Sequence, residues 1–259
     1  MSWMEISQYI WDSEDLCVKC RDQRASYEFK RRNKTLRCVD YEKNKWEKEG
    51  LTEFCPPYVG FSNNPSKFGK GAIFFILESI GGARPWKTRK DGLEATIEDL
   101  KGYYLKKGLT TFHQKCIREI LREFNDHPYV VSDMVKCFIV KKNERNFIDA
   151  MNSCVDHFLS KQLKAVKPKI IVLFGTHYSI NGLMRLVEDC QRPRLEELRR
   201  AKNRHGKVLN SLKMSMGYTT TLLFSRFPTQ WQADNWIRYG GSKIIINEIK
   251  KLISGSKWL

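Results

Sequence analysis

The chain has 259 residues and a formal net charge of +17, with 46 Lys and Arg against 29 Asp and Glu. No apolar run approaches the ~20 residues that span a membrane, and the first residues lack the basic-then-apolar order of a secretory signal. These features argue against membrane-spanning and secreted classes, so we expect a cytoplasmic protein with no membrane partner. The excess positive charge predicts a polyanionic partner, and seven Trp, ten Tyr and fourteen Phe suit stacking on bases.

The N-terminal part of the chain combines a cysteine pair with basic sequence. A predicted helix over residues 1–20 ends at Cys17 and Cys20, which are separated by two residues. Residues 21–57 are polar, basic and irregular, and we interpret them as an insertion. A second insertion is predicted at about 85–108.

Four runs of apolar or β-branched residues predict buried strands, over residues 72–77, 129–135, 169–175 and 219–224. Apolar residues at helical spacing predict helices over residues 113–124, 147–163, 179–188 and 244–253. This alternation predicts an α/β fold: a three-layer sandwich with a central, mostly parallel four-stranded sheet flanked by helices. We expect one domain over residues 1–259. Ligands of such sheets bind at the carboxyl ends of strands, which points to Glu78, Asp133, Gly175 and the segment after Phe224.

The eight cysteines are the candidates for a metal centre, because disulfides are rare in intracellular proteins. By itself the C-x-x-C pair leaves zinc, a redox dithiol and an iron–sulfur cluster open. A second pair lies far along the chain, with Cys137 after a predicted strand and Cys154 in the next helix, and four thiolates are what a 4Fe-4S cluster needs. A zinc site formed by Cys17, Cys20, Cys38 and Cys55 is the alternative. Cys116 and Cys190 fall among apolar helical positions, which predicts buried thiols.

The segment YVVSDMVKC over residues 129–137, the helix with Cys154, and KPKIIVLFG over residues 167–175 follow one another in a specific order. Together they resemble the iron–sulfur (family four-like) branch of the uracil-DNA glycosylase superfamily, which has Asn-x-Val-Lys-Cys, a helical Cys and Pro-Lys-x-Ile-x-x-x-Gly there. LESIG over residues 77–81 is similar to the Gly-Glu-Ala-Pro-Gly motif of that family. Phe227-Pro228-Thr229 is similar to its His-Pro-Ser motif. The resemblance spans most of the chain outside the two insertions.

The resemblance implies a DNA-binding repair protein that flips a base and hydrolyses its N-glycosidic bond. It implies a 4Fe-4S cluster held by Cys17, Cys20, Cys137 and Cys154, with no other cofactor, and either duplex or single-stranded DNA as the partner. Glu78 matches the motif Glu, which would position water or stabilise a cationic sugar; a structural ion pair with a nearby Lys or Arg is the alternative. Phe112 matches a Phe that stacks on the base, and its alternative is a core position.

The C-terminal segment supplies the predicted DNA contacts. Arg226, Thr229 and Trp231 fall there, and Trp231 would fill the gap left by a flipped base. For Trp236 we expect instead a structural role, anchoring the last helix to the sheet.

Two departures from the family pattern bear on activity. Asp133 replaces an Asn whose amide grips uracil, and an ionised carboxylate offers only acceptors. An unmatched acceptor costs roughly 1–3 kcal/mol, which disfavours uracil by about ten- to a hundredfold and favours a base edge with two donors, such as that of guanine. Phe227 replaces a His that stabilises charge on the departing base, at a typical cost of ~2.7–4 kcal/mol. The chain is therefore either a glycosylase for a non-uracil base or a catalytically inactive nucleic-acid-binding protein that retains the fold and cluster.

Overall fold

The computed structural model describes residues 29–31, 34–36, 59–61, 71–79, 112–135, 148, 151–152, 154–226, 228 and 233–255. Within this part of the chain, six strands pair into one sheet. The strands of this sheet are β3 (Val59–Phe61), β4 (Ile73–Ser79), β5 (Tyr129–Val135), β6 (Ile170–Gly175), β7 (Lys207–Met214) and β8 (Tyr218–Arg226). A separate antiparallel hairpin consists of β1 (Phe29–Arg31) and β2 (Lys34–Leu36).

The order across the sheet is β3-β5-β4-β6-β8-β7. The inner strands β5, β4, β6 and β8 run parallel, whereas β3 and β7 are antiparallel to their neighbours. The predicted α/β class and mostly parallel sheet are confirmed, and the four inner strands are the four that the sequence predicts. The expected number of strands was wrong, because short or half-exposed edge strands lack the continuous apolar runs of buried parallel strands.

The helices whose bounds are described are α1 (Phe112–Glu123), α2 (Ser160–Val166), α3 (His177–Met184), α4 (Arg192–Arg200), α5 (Ala233–Arg238) and α6 (Gly241–Gly255), and residues 148, 151–152 and 154 are helical as well. A π-helical turn over Val155–Leu159 leads into α2, and a short 3-10 turn over Asp189–Gln191 precedes α4. No helix in these ranges is long and apolar enough to cross a membrane.

Helices cover both faces of the sheet. On one face, the Ser132 hydroxyl donates a 2.9 Å hydrogen bond to Gln162 of α2, and Met134 packs against Gly182 of α3. On the other face, α1 packs against α6, which also contacts β8. These contacts give the three layers that the sequence predicts.

The core lies between these layers and is built from the inner strands. Every residue of β6 is buried, as expected for a parallel strand covered on both sides. The Phe75 ring stacks on Phe174 at 6.3 Å and meets Tyr129 edge-on at 5.9 Å, which joins three neighbouring strands through their side chains. The parallel strands are thereby held in register, so that their carboxyl ends form a common edge.

Two cysteines outside the predicted cluster differ in their surroundings. Cys116 is buried in α1, as predicted, and burial raises the pKa of its thiol to about 11. The prediction for Cys190 is wrong, because this residue is exposed in the 3-10 turn before α4. In the structure α3 ends at Met184, so Cys190 lies beyond the helix, where helical spacing no longer governs burial.

Candidate functional site

Glu78 lies at the carboxyl end of β4 and is bound to the amino end of α3. Its Oε2 accepts a 2.5 Å hydrogen bond from the backbone N–H of Thr176 and a 2.8 Å hydrogen bond from the Ser179 hydroxyl. Thr176 is the N-cap of α3, and its own hydroxyl accepts from the N–H of Tyr178. A carboxylate is stabilised at this position because it satisfies an otherwise unpaired N–H and faces the positive end of the helix dipole.

Gly175 makes this contact possible. A Cβ built on Gly175 would lie 1.9 Å from the Ser179 hydroxyl and 3.0 Å from Glu78 Oε2. Any larger residue would therefore push α3 away from the end of β4. We call Glu78, Gly175, Thr176 and Ser179 the switch-point cluster.

The switch-point cluster lies where the direction of the strand order reverses in the sheet. The chain leaves β4, crosses to β5 on one side, and then returns to β6 on the other side of β4. The connections from β4 and β6 carry α1 and α3 to opposite faces, and in open α/β sheets such a divergence between neighbouring strands creates a crevice. Open α/β sheets bind their ligands at this type of position, beyond the carboxyl ends of the strands.

Asp133 lies at the same edge but on the other face of the sheet. Its neighbours Ser132 and Met134 face α2 and α3, so the alternation of a strand directs Asp133 toward the α1 and α6 layer. Asp133 pairs with Leu77, one residue before Glu78, which consequently faces the opposite side. Asp133 is only 2% exposed. The two carboxylates of the predicted site, Glu78 and Asp133, thus occupy neighbouring strand ends on opposite faces of the sheet.

Phe112 is the first residue of α1, in the layer that Asp133 faces. Its side chain is partly buried and packs against the hydrophobic core. Phe112 and Asp133 therefore belong to one side of the sheet, and Glu78 belongs to the other.

The carboxyl end of β8 is held by a buried histidine that the motifs do not point to. His205 is 4% exposed, its Nδ1 accepts from the backbone N–H of Arg226 at 3.3 Å, and its Nε2 donates to the Gly241 carbonyl at 3.0 Å. These partners require the neutral ring with its proton on Nε2. Burial lowers the pKa of His205, the Gly241 hydrogen bond opposes this, and the charge of Arg226 adds to the lowering. The Trp236 ring is buried and meets the His205 ring edge-on at 4.6 Å.

Two arginines flank this histidine. The Arg226 guanidinium lies 4.8 Å from the centre of the Tyr239 ring and donates to the Lys202 carbonyl at 3.0 Å. Arg204 donates from Nε to the Ala201 carbonyl at 3.1 Å. Burial lowers the pKa of Arg204, and the charges of Arg226 and Arg199 lower it further. We call Arg204 and Arg226 the arginine pair.

The remaining predicted site residues fall largely outside the described ranges; these are Phe227, Thr229, Trp231, Cys17, Cys20 and Cys137. The zinc alternative with Cys38 and Cys55 lies there too, as do both insertions apart from the β1–β2 hairpin. Cys154 is described, and it is fully buried immediately before the π-helical turn. Within the described ranges no group of His, Cys, Asp and Glu forms a metal site.

Sequence reasoning missed Thr176, Ser179 and His205. Thr176 had a usable signal, because a Thr directly after a strand-ending Gly is a typical N-cap before a helix. Ser179 and His205 had none, since they reach their partners across the fold and not along one element. Arg204 lies in the basic run over residues 199–207, part of the positive charge that predicts a polyanionic partner. In comparisons with known proteins, neither a protein-family model nor a curated protein matches the chain. The resemblance to uracil-DNA glycosylases therefore rests on the motifs themselves.

Proposed function

We propose that the chain binds DNA and hydrolyses the N-glycosidic bond of a flipped, non-uracil base, as a divergent relative of the iron–sulfur uracil-DNA glycosylases. The observation that carries this proposal is the buried Asp133 carboxylate at the carboxyl end of β5, on the strand next to the crevice-forming β4. An ionised carboxylate at this position accepts hydrogen bonds from adjacent donors on a base edge. Phe112, in the layer that Asp133 faces, supplies an aromatic side chain for stacking.

Glu78 would act through its fixed charge. Two donors hold Oε2 at the crevice, so the carboxylate keeps its position without reorganising during the reaction. A preorganised negative charge stabilises the positive charge that develops on the sugar as the bond to the base breaks. This role does not require the ion pair with Lys or Arg that the sequence left open.

The proposal includes a 4Fe-4S cluster held by Cys17, Cys20, Cys137 and Cys154. Cys154 fits this assignment because its buried sulfur is shielded from solvent and precedes a π-helical turn, a feature frequent at functional sites. The cluster would tie the N-terminal segment to the β5–α2 region that positions Asp133. Near-equal iron and labile sulfide in the purified protein, lost in Cys137→Ser but kept in Cys116→Ser, would support the cluster. Colourless protein that contains zinc would support the alternative zinc site.

A second candidate function is nucleic-acid binding without catalysis. The placement of Glu78 and Asp133 on opposite faces of the sheet favours it, because the two carboxylates can serve one base only by meeting over the strand ends. Phe227, in place of a hydrogen-bond donor, also favours it.

A base-release panel separates these functions. Duplex and single-stranded oligonucleotides carrying uracil, hypoxanthine, xanthine or guanine are incubated with wild type, Glu78→Gln and Asp133→Asn. Asp126→Asn is the matched control, because Asp126 is exposed in the turn at the amino end of the same strand. We expect wild type to release a purine-type base, Glu78→Gln to slow release with DNA binding retained, and Asp133→Asn to gain uracil release or binding.

Other outcomes decide against parts of the proposal. Tight, salt-dependent DNA binding without release of any base supports the non-catalytic function. An unchanged base preference in Asp133→Asn shows that Asp133 does not read the base.

A further inference from the structure

The Arg226 side chain is held in place before any ligand binds. The Tyr239 ring supports one face of its guanidinium, and the Lys202 carbonyl accepts from Nη2. A guanidinium carries further N–H donors in a rigid fork, and these remain for a ligand after one is used by Lys202. Because the side chain is already ordered, binding costs little additional conformational entropy.

Arg204 brings a second positive charge to the same place. It directly precedes His205, whose ring accepts the backbone N–H of Arg226, so the two arginines are fixed beside each other. Among the described residues, no carboxylate forms an ion pair with either of them. Nearby Arg199 and Arg200 differ, because both are paired with Glu196.

We propose that the arginine pair binds one backbone phosphodiester group of a nucleic acid. Two adjacent, half-buried guanidinium groups repel each other, and an anion between them removes this repulsion. Arginine suits phosphate because its fork donates to two oxygens at once. The choice of nucleic acid as the source of the phosphate rests on the proposed function.

The position of the pair relative to the crevice is consistent with a bound strand. Arg226 pairs with Gly175, so the end of β8 is level with the switch-point cluster. From β4 to β8 the sheet advances two strand spacings, about 10 Å. Since one strand of DNA carries a charge about every 3.4 Å, this distance corresponds to about three nucleotides. A phosphate at the arginine pair thus leaves a nearby nucleotide within reach of the crevice.

The test measures DNA binding by fluorescence anisotropy, with a fluorescein-labelled single-stranded oligonucleotide and its duplex, at several salt concentrations. We expect Arg204→Gln and Arg226→Gln each to weaken binding roughly tenfold. Losing one phosphate contact also lowers the slope of log affinity against log salt by about 0.7 for the single strand and about 0.9 for the duplex.

Further variants show whether weaker DNA binding comes from the arginine pair itself, from the loss of overall positive charge or from a loss of folding. Arg200→Gln removes the same charge nearby but from a side chain already paired with Glu196, and we expect less than about a twofold effect. Arg226→Lys keeps the charge but loses the planar fork, so the salt slope should remain while affinity falls. Thermal unfolding of each variant checks that the fold is retained.

Different outcomes overturn the phosphate site and the proposed glycosylase function. DNA binding by wild type that is equally strong in Arg204→Gln, Arg226→Gln and Arg200→Gln overturns the phosphate site alone. Arginine-dependent binding without base release supports the site and overturns the catalytic proposal. A wild-type protein that binds neither single-stranded nor duplex DNA overturns both.

Discussion

The switch-point cluster and the arginine pair lie at the same edge of the sheet but are completed in different ways. In the cluster, the donors from Thr176 and Ser179 and the Glu78 acceptor meet within the protein. In the arginine pair, two guanidinium groups are oriented by backbone carbonyls and retain donors that no described carboxylate takes up. In the proposed function, the fixed charge of Glu78 at the end of β4 would stabilise the sugar, whereas the arginine pair at the end of β8 would bind a phosphate.

The largest expected effect comes from breaking the packing of the cluster. Gly175→Ala places a methyl group 1.9 Å from the Ser179 hydroxyl, so α3 must move. We expect the free energy of unfolding in urea to fall by about 3 kcal/mol. Gly255→Ala is the matched control, because nothing lies within 4 Å of its added Cβ. A loss for Gly175→Ala no larger than for the control would contradict the close approach of α3 to β4.

The next effect tests whether Glu78 completes the cluster. Glu78→Ala leaves the Thr176 N–H and the Ser179 hydroxyl without this acceptor, and we expect a loss of about 2 kcal/mol in the free energy of unfolding. Glu78→Gln retains a carbonyl acceptor and should lose about 1 kcal/mol. Glu197→Ala, at an exposed position of α4, should change stability by less than about 0.5 kcal/mol. Equal losses for Ala and Gln would show that the hydrogen bonds do not matter.

A smaller effect concerns the histidine that supports the arginine pair. Because burial lowers the pKa of His205 in the folded state, the unfolded chain takes up a proton more readily below the ordinary value of about 6.5. The stability that the neutral His205 ring contributes to the folded state is complete above about pH 6.5. It is lost as the pH falls from 6.5 toward the lowered pKa of the folded state. The stability difference between wild type and His205→Gln should therefore narrow on acidification. A difference that widens would mean that the folded protein prefers the charged ring.

The smallest effect concerns the preorganisation of Arg226. Tyr239→Leu removes the ring beneath the guanidinium, and we expect DNA affinity to fall by about two- to fivefold, the equivalent of ~0.5–1 kcal/mol. Tyr239→Phe keeps the ring and should bind like wild type. If both variants weaken binding equally, the hydroxyl group and not the aromatic face is responsible.

The buried parallel strands were predictable from sequence, whereas the edge strands were not. Residues 129–135 form β5 with the predicted bounds, because the apolar residues Tyr129, Val130, Val131, Met134 and Val135 suit a strand covered on both faces. In β7 the pairing with β8 shifts between Leu209 and Leu212, and Ser211 has a φ of 54°. This bulge interrupts the period-two pattern, so no regular signal exists along the strand.

The sequence predicts at which edge of the sheet the candidate site lies, but not on which face each of its side chains lies. The rule of strand carboxyl ends identified Glu78, Asp133 and Gly175. It could not assign faces, because the opposite orientations of Glu78 and Asp133 follow from the register between β4 and β5. The contacts of Arg204 and His205 likewise depend on how the connection after α4 meets the end of β8.

Hydrogen exchange in the presence of a single-stranded oligonucleotide tests most directly whether the carboxyl edge of the sheet is the ligand face. We predict slower exchange over residues 176–179 and 202–206 and at Arg226, which lie at the carboxyl edge of the parallel strands. We predict no change in the turns before β5 and β8, residues 125–128 and 215–217, at the opposite edge. Protection confined to those turns, or protection that persists unchanged in the Arg204→Gln and Arg226→Gln double variant, would contradict the account.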